Sequence, residues 1–202
     1  YEGQDEAARL NNPVYHIHGG DVPKSDMVVP FSMLLNLASV AASEDKEGLW
    51  GFIKRYAPEA SAEANPQLDA AAGYAVRYFN DFVKPTRVFR APTDQERAAL
   101  EDLVAALKDA ELARGMIEAK NKAMGKDEPV AALDMTDGED LQSIVFAVGK
   151  NHGFENLRDW FAAIYEVLMG ASQGPRFGSF IALYGVDETI VLIEQGLKGE
   201  LG

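Results

Sequence analysis

Apolar residues recur along most of this chain at the three- and four-residue spacing of a helix buried on one side. Phe31, Leu34, Leu35 and Ala38 share one such face. Leu68, Ala72, Ala75, Phe79 and Phe82 make a second stripe, predicting a helix that runs to about Val83. Leu100, Leu103, Val104 and Leu107 make a third, on a helix extending to about Met124. Leu141, Ile144, Val145 and Val148 follow, then Leu157, Trp160, Phe161, Ile164 and Leu168, then Ile190, Val191 and Ile193. No long period-two run interrupts these patterns, so the expected fold class is all-α, with eight to ten helices packed as a bundle or cage.

Capping and breaking residues set the boundaries. Asn65-Pro66 places a cap before a proline in the first turn. Pro85 closes the helix so opened. Thr93 with Glu96, and Thr136 with Glu139, have the spacing of capping boxes. Ser43 reads as the cap of the helix over 45–56, and Gly153 as a C-terminal cap. A short helix is expected from Pro175 to about Gly185. Residues 1–29, rich in proline and glycine, read as irregular and mostly extended. The polar run 125–138 reads as a connector.

Composition narrows the chemistry. The chain has 202 residues, 47% hydrophobic, with no cysteine, which excludes disulfides and thiolate chemistry. No signal segment or membrane-length apolar run is visible, so a cytoplasmic protein with no membrane partner is expected. It begins at Tyr1 without methionine, from which we expect a portion of a longer protein. A net charge of -13 gives no bulk attraction for nucleic acid, so any such role requires a local basic patch.

One patch exists. Residues 77–92 carry Arg77, Lys84, Arg87 and Arg90 against Asp81, interleaved with Tyr78, Phe79, Phe82 and Phe89. Lys84, Arg87 and Arg90 suit phosphate contact, and exposed rings would stack on unpaired bases. The structural alternative is that the cations complement a helix C-terminus; Phe79 and Phe82 are assigned to the core. A second feature is "GASQGPRFGSFIALYG", residues 170–185. Pro175 at a first helical turn would leave the amides of Arg176 to Gly178 free for oxygen acceptors. Gly174 and Gly178 would admit a ligand closely, and Arg176 would offer a planar five-donor fork. The alternative is a tight interhelical turn with Phe177 and Phe180 in the core. His16 and His18, at i and i+2 on an extended segment, lack a third ligand, and the expected metal count is none. Their imidazoles are expected to bond backbone groups. No nucleophile–base set or phosphate loop of Walker type occurs, so no catalytic residue is assigned.

The stretches "NPVYHIHGG", "VPFSMLLNLASVAASEDKEGLWGFIKRY", "YFNDFVKPTRVFRAPT" and "LRDWFAAIYEVLMGASQGPRFGSFIALYGV" resemble, in order, the C-terminal half of class I lysyl-tRNA synthetases. The similarity weakens over 108–138. The resemblance implies a lysine–tRNA ligase whose catalytic Rossmann domain, with its ATP, precedes this portion, leaving it non-catalytic and without a cofactor of its own. It implies an N-terminal lead-in and connecting bundle over 1–64, and an anticodon-binding α-helical cage over 65–202. The implied partner is the anticodon stem-loop of the tRNA for lysine, not DNA. Gly174-Pro175-Arg176-Phe177 resembles the anticodon-contacting turn of bacterial glutamyl-tRNA synthetase. That implies base contact by Gly174, Pro175 and Arg176, stacking by Phe177, and backbone contact by Lys84, Arg87 and Arg90. An acidic helical module for protein partners is the competing reading.

Overall fold

The computed structural model describes residues 5–22, 24–41, 45–123 and 135–201. They form helices α1 (Glu6–Leu10), α2 (Pro13–Ile17), α3 (Phe31–Val40), α4 (Lys46–Tyr56) and α5 (Pro66–Tyr78), then α6 (Asp94–Ala123), α7 (Gly138–Asn151), α8 (Leu157–Leu168), α9 (Phe177–Tyr184) and α10 (Val186–Lys198). No strand occurs among the described residues. The all-α expectation is met.

The N-terminal segment departs from the extended reading. Asp5 caps α1 through Ala8 N, and Asn12 caps α2 through Val14 N, with Pro13 in the first turn. These local side-chain caps nucleate two short helices where proline and glycine content suggested none. His16 lies inside α2, and its Nε2 is 2.7 Å from the Leu10 carbonyl oxygen, so it does bond backbone.

One apolar core joins both sides of residue 64. Leu34, Leu37, Leu49 and Ile53 enter it from α3 and α4; Leu68, Leu103, Trp160, Phe177 and Ile193 enter it from later helices. In α3 the buried set is Met33, Leu34, Leu37 and Ala38, while Phe31 is exposed. In α10 Leu192, not Val191, faces inward. Leu100, Leu103, Val104 and Leu107 of α6 are all buried, as their spacing predicts.

The caps show where local pattern suffices. Thr93 and Glu96 form the expected box: Glu96 N donates to Thr93 Oγ1 at 3.3 Å, and Thr93 N donates to Glu96 Oε2 at 2.7 Å. At α7 the cap is Asp137, whose carboxylate accepts from Glu139 N at 2.7 Å, rather than Thr136. Asp45 caps α4 through Gly48 N, and the predicted cap Ser43 lies outside the described residues, as does Met124. At α5 the cap is borrowed. Asp26 accepts from Gln67 N and Leu68 N, both at 3.1 Å, while Asn65 instead donates to the Asp26 carbonyl and accepts from Ser61 N.

After Tyr78 the helix widens into a π-helical turn, Phe79–Val83, and then a 3-10 turn, Lys84–Thr86. The ring of Pro85 would clash with the Asp81 carbonyl in a regular α-helix, and its nitrogen has no hydrogen to donate. The wider turn holds an extra residue and rotates Phe82 off the buried stripe. Phe79 is buried, but Phe82 is 63% exposed, which corrects its assignment to the core.

Candidate nucleic-acid interface

The two stretches singled out by sequence meet in space. Gly170 ends α8 with φ +65°, a left-handed conformation that glycine adopts without strain. Its carbonyl accepts from Val88 N at 3.0 Å, so the extended segment after Thr86 runs against the loop that leads to Gly174–Arg176. A Cβ at Gly170 would lie 3.2 Å from both Arg87 Cβ and Val88 N, so the contact depends on its absence. A shallow depression here is lined by Thr86, Val88, Glu166, Gly170 and Ser172.

The cations of the patch have diverged. Arg87 is half-buried. Its Nε donates to the Met169 carbonyl at 2.7 Å and its Nη1 to the Ser39 carbonyl at 3.1 Å. Its guanidinium lies 4.3 Å from the Phe89 ring centroid and 5.6 Å from that of Phe79. It therefore ties the C-terminal ends of α3 and α8 together, where a cation also complements the helix dipoles. Burial holds its pKa below the ordinary arginine value. Arg90 donates to Glu166 Oε2 at 2.6 Å and to both Glu96 oxygens at 2.7 and 2.8 Å. The Glu96 and Glu166 carboxylates raise its pKa further. These two side chains bond internal carbonyls and carboxylates and so help hold the fold, which leaves Arg87 and Arg90 fewer donors for the phosphates they were expected to meet. Lys84 is exposed and forms no ion pair with a described carboxylate.

The Gly-Pro-Arg-Phe turn is built from beneath. Helix α9 starts at Phe177, so Pro175 lies before it rather than in its first turn. The Gly178 amide is not free: it donates to buried Gln142 Oε1 at 2.7 Å. The two glycines serve internal packing. A Cβ at Gly174 would sit 2.0 Å from Tyr165 Cε1, and one at Gly178 would sit 2.3 Å from Gln142 N and the Gly138 carbonyl. The Tyr165 hydroxyl donates to the Pro175 carbonyl, and burial pushes its pKa up. Phe177 is fully buried, edge-on to Tyr165 and stacked on Phe180. The stacking role expected of Phe177 is therefore corrected: its ring is core. Arg176 alone projects outward, with 60% of its side chain exposed and Glu139 Oε1 at 3.4 Å from Nη1. Gly174 is also exposed and Pro175 partly so.

Tyr165 and Gln142 were not singled out by sequence. Gln142 interrupts an apolar stripe, a signal for a buried hydrogen bond; Tyr165 carries no signal beyond helical spacing.

Comparison with known proteins decides what kind of chain carries this surface. It is 61% identical over 201 residues to the lysine–tRNA ligase of Roseobacter denitrificans, an alignment covering all of this chain and 34% of that protein. It is 42% identical over 195 residues to the lysine–tRNA ligase of Rickettsia bellii, and 40% identical over 192 residues to that of Rickettsia conorii. These alignments cover 96% and 95% of this chain, and 33% of each relative. The chain is homologous to lysine–tRNA ligases along its whole length. It spans about a third of the length of the lysine–tRNA ligases it matches, corresponding to a C-terminal portion of them. No protein-family model and no solved structure matches it. No described helix is long and apolar enough to cross a membrane.

Proposed function

We propose that this chain is the anticodon-binding portion of a class I lysine–tRNA ligase, whose complete protein attaches lysine to tRNA using ATP bound in its catalytic domain. Whole-length homology at 61% identity to a lysine–tRNA ligase carries the reading. The partner is the tRNA for lysine, held at its anticodon stem-loop. Residues 65–202 form the cage and 1–64 lead into it, the two sharing one core.

The contact residues are Gly174, Pro175 and Arg176, with Lys84 on the nucleic-acid backbone. A lysine anticodon ends in two uridines, whose edges offer carbonyl acceptors, and Arg176 presents unspent guanidinium donors to them. Its side-chain partner among the described residues, Glu139, is exposed and at the long limit of a hydrogen bond, so exchange for a base edge costs little. Tyr165 and Gln142 hold the turn from below, so the donors arrive already placed.

The test is the affinity of the chain for an anticodon stem-loop with three uridines against one with those uridines replaced. Preference for the uridines is expected, and Arg176→Ala reduces it. Equal affinity of the parent chain for both RNAs rejects base reading by this surface.

A further inference from the structure

The π-helical turn leaves an aromatic face that the core does not absorb. Tyr74, Tyr78 and Phe82 lie on one side of α5 and its continuation, and are 58%, 47% and 63% exposed. The Tyr78 and Phe82 ring centroids are 5.2 Å apart with planes inclined at 36°. The Arg77 guanidinium lies 5.0 Å from the centre of the Tyr74 ring. Arg77 and Lys84 are exposed, and neither forms an ion pair with a described carboxylate; exposed Asp81 is the acidic residue within this stretch. Such rings are costly to leave in water, and an unabsorbed run of them marks an interaction surface.

We propose that Tyr74, Tyr78 and Phe82 form a stacking platform for unpaired RNA bases, with Arg77 and Lys84 meeting the adjoining phosphates. The proposal rests on the reading of this chain as a tRNA-binding module. Three observations select RNA over a protein partner. Flat rings paired with free cations match base faces next to phosphates. Arg77 and Lys84 stand against Asp81 alone in this stretch, a local positive balance on a chain of net charge -13, which suits an anion next to the rings. The face is also connected through the backbone to the loop that leads to Gly174. Thr86 Oγ1 donates to the Phe82 carbonyl at 3.1 Å, and Val88 N donates to the Gly170 carbonyl at 3.0 Å, so a short backbone path joins the platform to the loop before the turn. The platform then supplies affinity that tolerates sequence, while Arg176 supplies choice.

The experiment measures binding of the 202-residue chain to an anticodon stem-loop carrying a fluorescent adenine analogue in its loop. Phe82→Ala is expected to weaken binding about tenfold and to remove quenching of the analogue. Phe82→Trp keeps both, and a fully paired duplex shows no dependence on residue 82. Phe82 is exposed, so circular dichroism of the variants is expected to match the parent. Uridine preference retained with undiminished affinity in Phe82→Ala overturns the platform and leaves the proposed function standing. Phe82-dependent binding that is equal for all loop sequences supports the platform and rejects base reading. Absence of binding to any stem-loop overturns both. A change in sedimentation on Phe82→Ala with RNA affinity unaltered assigns the face to a protein and overturns the proposal.

Discussion

Lys84 and Arg90 belong to one basic patch, yet their surroundings give them different work. Arg90 neutralises Glu96, which also completes the Thr93 box at the start of α6. Arg90→Ala leaves that largely buried carboxylate without its bidentate partner, and the expected loss is about 1–3 kcal/mol of stability, read by urea unfolding. Lys84→Ala should change stability by less than about 0.5 kcal/mol. It should instead weaken all stem-loops alike and lower the salt slope of binding by about one. Tyr165→Phe keeps the ring against Gly174 and removes only the hydroxyl that donates to the Pro175 carbonyl. A stability loss of about 1 kcal/mol is expected. Uridine preference should fall more than overall affinity, because the turn that carries Arg176 loses its tether.

Elements here depend on groups far away in sequence. Helix α5 begins with a proline and an asparagine in cap position, yet its second and third amides are met by Asp26. Asp26→Ala should cost about 1 kcal/mol, as loss of a cap does, although no helical pattern surrounds residue 26. Thermal unfolding of Asp26→Ala beside Asn65→Ala compares loss of the borrowed cap with loss of the asparagine that donates to the Asp26 carbonyl. The joint between α7 and α9 is closer still, since Gly138 and Gly178 let the two backbones approach. Gly178→Ala drives a methyl against backbone atoms of α7 and should destabilise by about 1–3 kcal/mol or more. The same change displaces the start of α9, so binding at Arg176 should fall with it.

For the whole molecule, pH couples charge to packing. Arg90 holds the Glu96 carboxyl below its ordinary 4.5, and Lys46 with the Trp50 indole holds that of Asp69 below its ordinary 3.8. A carboxylate with a lowered folded pKa stabilises fully above its unfolded value, and that contribution is lost as pH falls through the folded value. Glu96→Gln should therefore be less stable than the parent at pH 7, with the gap closing below about pH 4. Chemical denaturation across that range checks it; a gap constant with pH would place the effect in packing rather than charge. The -13 excess bears on partners, because it gives the chain as a whole no attraction for a polyanion and so discourages adventitious RNA contact.

Helical periodicity is a local property, so sequence alone determined the all-α class and most core positions, from Leu34 to Ile193. The Thr93–Glu96 box and the Gly153 terminus were equally legible, because their partners lie within a turn. The homologous motifs likewise sit in contiguous sequence. Tertiary structure decided which charges remain free. Arg87 and Arg90 read like Lys84 until Ser39, Met169 and Glu166, distant in the chain, are brought against them. It also decided two aromatic positions. Phe177, a stacking residue by resemblance and a core residue by the tight-turn alternative, is core; Phe82, assigned to the core, is exposed. A hydrogen bond across the chain, or a helix widened ahead of Pro85, depends on where other elements pack, and no local spacing encodes that.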